Sequence, residues 1–186
     1  KETNTTAWFQ SLEKALGKLA AIAAVVILLI FPLYVRDFYF DILNAKYQFY
    51  YITMLAVLII AFIIFVFHVI QDFRYEDGKK VMFRSFSIKK MPLSHSFASI
   101  FLIVCIISTL QSQYLYESFW GNEGRYTGLF LLAIYVITFL FISRFLKLKK
   151  RYLNLFLVAG MLACIFGITD YFKLNLFHFK DELVAA

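Results

Sequence analysis

The 186-residue chain is 62% hydrophobic and 20% aromatic, and only 17% of its residues are charged, against roughly a quarter in soluble domains. A soluble fold of this length has no interior large enough to hide that much apolar surface, so the excess must face lipid. The net charge of +7 would suit nucleic acid in a soluble protein. Here the basic residues flank apolar runs, where membrane topology and anionic lipid account for them and nucleic acid is excluded.

A helix needs about 20 apolar residues to cross the hydrocarbon core. On that measure the sequence predicts an all-α, polytopic transmembrane bundle of about five spans. Residues 1–18 are polar, with Trp8, Phe9, Leu12 and Leu16 interspersed. That spacing predicts a short amphipathic helix in the interface, a segment distinct from the bundle of residues 19–186. The first run after Lys1 lacks a small-residue cleavage site and is followed by more spans, unlike a cleavable leader.

The first span is expected over 19–35, rich in Ala and β-branched residues, with Pro32 placed to kink its end. The second covers 49–70. The third covers 93–110, opens after Pro92 and carries Ser94, His95, Ser96 and Ser99. As the least apolar of the five, it is expected to face other helices rather than lipid. The fourth covers 128–146. The fifth covers 152–171, with Ala159, Ala163 and Gly167 recurring every four residues, a spacing that predicts a close-packed face. Cys105 and Cys164 lie within apolar runs and read as packing residues; neither a disulfide framework nor a metal spacing is present. His68 and His95 fall near one end of their spans and are expected to make interfacial or interhelical hydrogen bonds.

The loops alternate in sign. Lys1, Lys14 and Lys18 precede the first span. Arg74, Lys79, Lys80, Arg84, Lys89 and Lys90 follow the second, and Arg144, Lys147, Lys149, Lys150 and Arg151 lie between the fourth and fifth. The opposite side holds only Arg36, Lys46, Arg125, Lys173 and Lys180. Fourteen basic residues against five predict the N-terminus inside and, after five spans, residue 186 outside. The basic 74–90 loop, with Phe83 and Phe86, is expected to lie on anionic headgroups.

The segment most suggestive of chemistry is the outer loop from Gln111 to Gly128. It holds Gly121, Gly124 and Gly128, the acids Glu117 and Glu123, a single base, Arg125, and the rings of Tyr114, Tyr116, Phe119, Trp120 and Tyr126. Glycines let a backbone turn sharply and approach a ligand. Arginine presents a planar fork suited to phosphate, and aromatic faces can stack on sugar rings. The same residues also have a structural reading. Trp and Tyr collect at membrane interfaces, glycines cap turns, and Arg125 can pair with Glu123 or Glu117. Asp170, at the outer end of the fifth span, is a further candidate, because an ionisable residue at such a place is often functional. His178 lies further out in the tail and reads as structural.

The stretch Tyr114-Leu-Tyr-Glu-Ser-Phe-Trp-Gly-Asn-Glu-Gly-Arg-Tyr-Thr-Gly-Leu129, followed directly by an apolar span, resembles the early outer loop of O-antigen ligase and polymerase-like membrane proteins. The end of the fifth span, Gly167-Ile-Thr-Asp-Tyr-Phe-Lys-Leu-Asn-Leu-Phe-His-Phe179, is also similar to that family. The resemblance implies a glycosyltransferase in the bacterial cytoplasmic membrane. It would move a glycan from an undecaprenyl-diphosphate carrier to an acceptor outside, without metal, nucleotide or other cofactor. On this resemblance Arg125, Glu123, Glu117, Trp120, Tyr126 and Asp170 are the expected substrate-binding residues. The family has roughly a dozen spans and a large later outer loop, so the chain is expected to be an N-terminal portion, with the catalytic residues elsewhere. The alternatives are a non-catalytic membrane scaffold or subunit and a transporter fragment. The chain has no P-loop, dinucleotide fingerprint, zinc-protease motif or Asp-rich metal motif, and no expected span interior carries Asp, Glu, Lys or Arg.

Overall fold

A computed structural model of the chain describes residues 2–36, 42–73, 92–122 and 125–172. Among these the secondary structure is entirely helical. The elements are α1 (Glu2–Val25), a π turn (Val26–Ile30), α2 (Phe31–Leu33), α3 (Ile42–Phe73), α4 (Leu93–Leu110), the short α5 (Leu115–Trp120), α6 (Leu129–Phe145) and α7 (Lys150–Tyr171). Four stretches are long and apolar enough to cross a membrane: Gln10–Leu33, Ile42–Ile70, Leu93–Leu110 and Lys150–Thr169. The fifth, α6, is equally apolar but has 17 residues, roughly 26 Å at 1.5 Å per residue.

The first helix is longer than the first expected span. No boundary separates an interfacial segment from the first span; α1 runs unbroken from Glu2 to Val25. Its residues are largely Ala, Leu, Lys and Glu, the strongest helix formers. One face, made by Leu12, Leu16, Ala20, Ala23 and Ala24, is buried, while Glu13, Lys14 and Lys18 stay exposed. The turns around Leu12 and Leu16 thus pack against the other helices as a continuation of the first span.

The effect of Pro32 appears just before it. A proline has no N–H to donate, and in an unbroken α-helix its ring would strike the carbonyl of Leu28. The chain widens into the π turn there, with the Phe31 N–H bonded to the Val26 carbonyl. A last turn, α2, follows, and Tyr34 is already extended at ψ 117°. The second span also starts earlier than Phe49, at Ile42, which brings Lys46 and Tyr47 into the helix.

The helices α1 and α6 are central. The first packs on α3, α6 and α7, and α6 also touches α3, α4 and α5. One apolar cluster gathers Ala23, Tyr50, Met54, Val57, Leu131 and Ile134, and a second gathers Leu12, Leu16 and Ala61, with Phe141 and Phe145 against it. Small residues let α1 approach closely. A Cβ at Gly17 would lie 3.3 Å from the Phe145 carbonyl oxygen, and Ala20 and Ala23 are wholly buried. Lipid tails are as apolar as side chains, so such close contact is what holds helices together in a membrane.

Two packing expectations fail. Within this chain α4 is mostly exposed, not enclosed: Phe97, Ile100, Phe101, Ile103, Val104 and Ile107 all face outward, as do Ser94 and Ser96. Only His95 is buried, sharing a 2.8 Å hydrogen bond with the Ser143 hydroxyl of α6. This interhelical bond is the one expected of His95. His68 instead donates from Nδ1 to the Ile64 carbonyl, one turn back on its own helix. On α7, Ala159 is fully buried, but Ala163 and Gly167 are exposed, and a Cβ at Gly167 would meet nothing within 4 Å. The helix packs through Tyr152 and Ala159. Both cysteines are free.

Candidate functional site

The contacts sort the bundle into two ends. One holds Leu12, Leu16, Ala61, Phe145 and the His95–Ser143 bond, with Lys14, Lys18, Arg144, Lys147, Lys149, Lys150 and Arg151 nearby in sequence; we refer to it as the basic end. The other collects the C-terminal turn of the first span, the start of α3, and the loop that leads into α6. Rings join them there. Tyr34 stacks on Phe49 at 4.4 Å, Tyr51 meets Phe130 edge-on, and Tyr126 lies flat on Tyr47 at 4.6 Å and 12°. This is the aromatic end.

The loop at this end is built from local backbone bonds. Ser112 accepts from the Tyr114 N–H at 3.1 Å and from the Ser118 hydroxyl at 2.7 Å, which starts α5. Gly121 then stops α5 at φ +85°, its N–H bonded to the Glu117 carbonyl at 2.7 Å. That left-handed conformation suits glycine alone. The Asn122 carbonyl accepts from both Arg125 and Tyr126, at 3.2 and 3.0 Å. Gly128 closes the loop and caps α6 without a side-chain hydrogen bond.

The two glycines face each other. A Cβ on Gly121 would lie 2.6 Å from the Thr127 nitrogen and 2.7 Å from that of Gly128. A Cβ on Gly128 would collide with the backbone of Phe119, Trp120 and Gly121. The sequence suggested that these glycines bring backbone to a ligand; in the structure they bring backbone to backbone. The result is a clasp that fixes where residues 125 and 126 stand.

Tyr126 carries φ +53°, an uncommon conformation for a bulky residue that costs on the order of 1–3 kcal/mol. Its ring stack on Tyr47 offsets part of that cost, aromatic pairs contributing about 0.5–1.5 kcal/mol beyond area burial. The neighbouring Arg125 is exposed, and among the described residues its guanidinium has no hydrogen-bond or ion-pair partner.

Trp120, Arg125 and Tyr126 thus share one clasped loop. Trp120 packs on Phe119 and Phe130 at 5.0 and 5.1 Å between ring centroids and remains 42% exposed. Glu117 stands on α5 with its side chain exposed. Glu123 and the Asp170 side chain lie outside the described residues, as do the 74–90 loop and His178. The helix that ends near Asp170, α7, packs on α1, the π turn and α2, so Asp170 belongs beside the first span rather than within the Arg125 loop.

Lys46 and Tyr47 were not among the expected site residues. By hydropathy they fall in a loop, because Asn44, Lys46 and Gln48 lower the local value. A usable signal was present: Ala45, Tyr50, Met54, Val57 and Ala61 repeat at helical spacing and carry the helix backward past Phe49. Among the described residues no group of three or more His, Cys, Asp or Glu could hold a metal ion.

The class that the fold defines is a multi-pass, all-α membrane protein. No protein-family model, curated protein or solved structure matches the chain.

Proposed function

We propose that the chain is part of an O-antigen ligase or polymerase-like glycosyltransferase of the bacterial cytoplasmic membrane. In this reading the aromatic end faces outward. The activity is transfer of a glycan from an undecaprenyl-diphosphate carrier to an acceptor there. The reading rests on one observation: a guanidinium without a partner among the described residues, held out by a backbone clasp amid aromatic rings. Arg125 binds the carrier diphosphate, and Trp120 and the neighbouring rings offer faces to lipid or sugar. Glu117 and Glu123 take supporting places around it, and Asp170 takes one at the end of α7 beside the first span.

Arginine suits the task because its fork makes two charge-assisted hydrogen bonds to phosphate oxygens. Each is worth roughly 1.5–3 kcal/mol, so removing the fork weakens binding by at least about tenfold. The test is transfer from an undecaprenyl-diphosphate glycan by the full-length protein. Arg125→Ala should abolish most of it, and Arg125→Lys, which keeps charge but not geometry, should recover part. Wild-type transfer by a stably inserted Arg125→Ala variant would refute the reading. Orientation is checked with an impermeant thiol reagent after Cys105 and Cys164 are replaced: a cysteine at Asn122 should label in intact cells and one at Ser85 should not.

A second reading, a membrane scaffold or subunit, is favoured by the uncovered faces of α4 and α7. It predicts that Arg125 can be replaced without effect while bulky polar substitutions on α4 disrupt assembly.

A further inference from the structure

We propose that Lys46 is the second cation of the same diphosphate site, contributed by α3 and joined to the Arg125 loop by the Tyr47–Tyr126 stack. This rests on the reading of Arg125 given above. A carrier diphosphate has charge on each of its two phosphates, and a single guanidinium leaves one of them without a counter-charge.

The placement comes from two adjacent pairs. Lys46 precedes Tyr47 and Arg125 precedes Tyr126, and the two tyrosine rings lie face to face at 4.6 Å. Each cation is therefore one residue, about 3.8 Å of backbone, from a member of the stack. Tyr126 is held there by the clasp and Tyr47 by the first turns of a 32-residue helix.

The present contacts of Lys46 are weak ones. Its ammonium lies 3.5 Å from the Pro32 carbonyl, beyond the usual 2.7–3.2 Å range of such bonds, and 5.7 Å from the centre of the Phe31 ring. Among the described residues it has no carboxylate partner. A half-buried ammonium held by one long bond and one ring face can turn to a phosphate with little loss. The competing role is structural. Lys46 caps the carbonyl end of the first span, where a cation is favourable.

The experiment measures displacement of labelled undecaprenyl diphosphate from the full-length protein in phosphatidylcholine nanodiscs. Competitors are unlabelled undecaprenyl diphosphate, undecaprenyl monophosphate and inorganic pyrophosphate. Lys46→Ala is expected to weaken diphosphate binding about tenfold and monophosphate binding much less, with Tm unchanged. Lys46→Arg, which retains the charge, should stay near wild type. Weak competition by inorganic pyrophosphate places the source in the lipid carrier; competition equal to the carrier's would overturn a lipid-linked ligand.

Wild-type diphosphate binding by Lys46→Ala, with Arg125→Ala impaired, overturns the role of Lys46 and leaves that of Arg125. Wild-type binding by Arg125→Ala removes the functional reading itself, and this inference with it. A fall in Tm for Lys46→Ala, with diphosphate and monophosphate weakened equally, identifies Lys46 as a helix cap and overturns the proposal. Lys46→Gln, a milder change, decides the same question should the alanine variant not fold.

Discussion

The basic and aromatic ends of the bundle are closed by different means. At the basic end Leu12 and Leu16 meet Ala61, Phe141 and Phe145, and Gly17 lets two backbones draw together. The seal is made of apolar volume and close approach, and among the described residues a polar bond joins His95 of α4 to Ser143 of α6. At the aromatic end the fastening is a glycine clasp and a set of stacked rings. Rings can fasten neighbours while keeping a polar edge toward water or headgroups. One end therefore supplies packing, and the other supplies position. Arg125, the cation proposed to meet a ligand, stands at the end where a backbone clasp sets position.

That contrast can be broken by substitution. The largest effect is expected at Gly128. A valine there collides with the backbone of three residues, which cannot move aside as a side chain tip would. A loss of about 4 kcal/mol is expected, or roughly 8–16 °C in Tm for a chain of this size, together with loss of diphosphate binding. A Gly128→Val variant that keeps its Tm in detergent would show that the clasp carries no stability.

Ala20→Leu comes next. It forces a larger side chain into the fully buried face of α1. Overpacking of this kind costs about 1–3 kcal/mol, or roughly 2–12 °C. Because the change lies away from the clasp, ligand affinity in the surviving folded protein should be unchanged. Loss of affinity without loss of Tm would mean that the two ends are not separable. Gly167→Leu is the smallest. With open space around that position, its stability should stay within about 0.5 kcal/mol of wild type, a Tm change of about 1–2 °C. A large drop would place Gly167 against a neighbour outside this chain.

Much of the architecture was legible from apolar run length. The third span runs over 93–110 as expected, and the fourth differs by a residue at each end. Run length fails where helices carry polar residues. The foot of α1 and the start of α3 fall outside the apolar runs, because Glu13, Lys14, Lys18, Asn44 and Lys46 depress hydropathy. Their partners come from distant parts of the sequence, so nothing local announces them. Small-residue spacing occurred on both α1 and α7, and only the position of neighbours decides which stripe is packed. The candidate site was half visible. Arg125 and the glycines stand out in sequence, but the purpose of Gly121 and Gly128 depends on a contact across the loop. The pairing of Tyr126 with Tyr47 links segments that no local pattern connects.

The Gly17–Phe145 contact has a consequence for biogenesis. The two residues are 128 apart in the chain (145 minus 17). At the usual 5–20 residues per second of synthesis, roughly 6–25 s separate their emergence from the ribosome. The second span, which packs on the Ala23 side of the first helix, follows it closely, but the stretch around Gly17 waits uncovered until α6 is inserted. During that interval the stretch is open to any other helix able to approach as closely. A nascent chain stalled before residue 145 should therefore crosslink through α1 to neighbouring membrane proteins, and one extended past α6 should crosslink to itself.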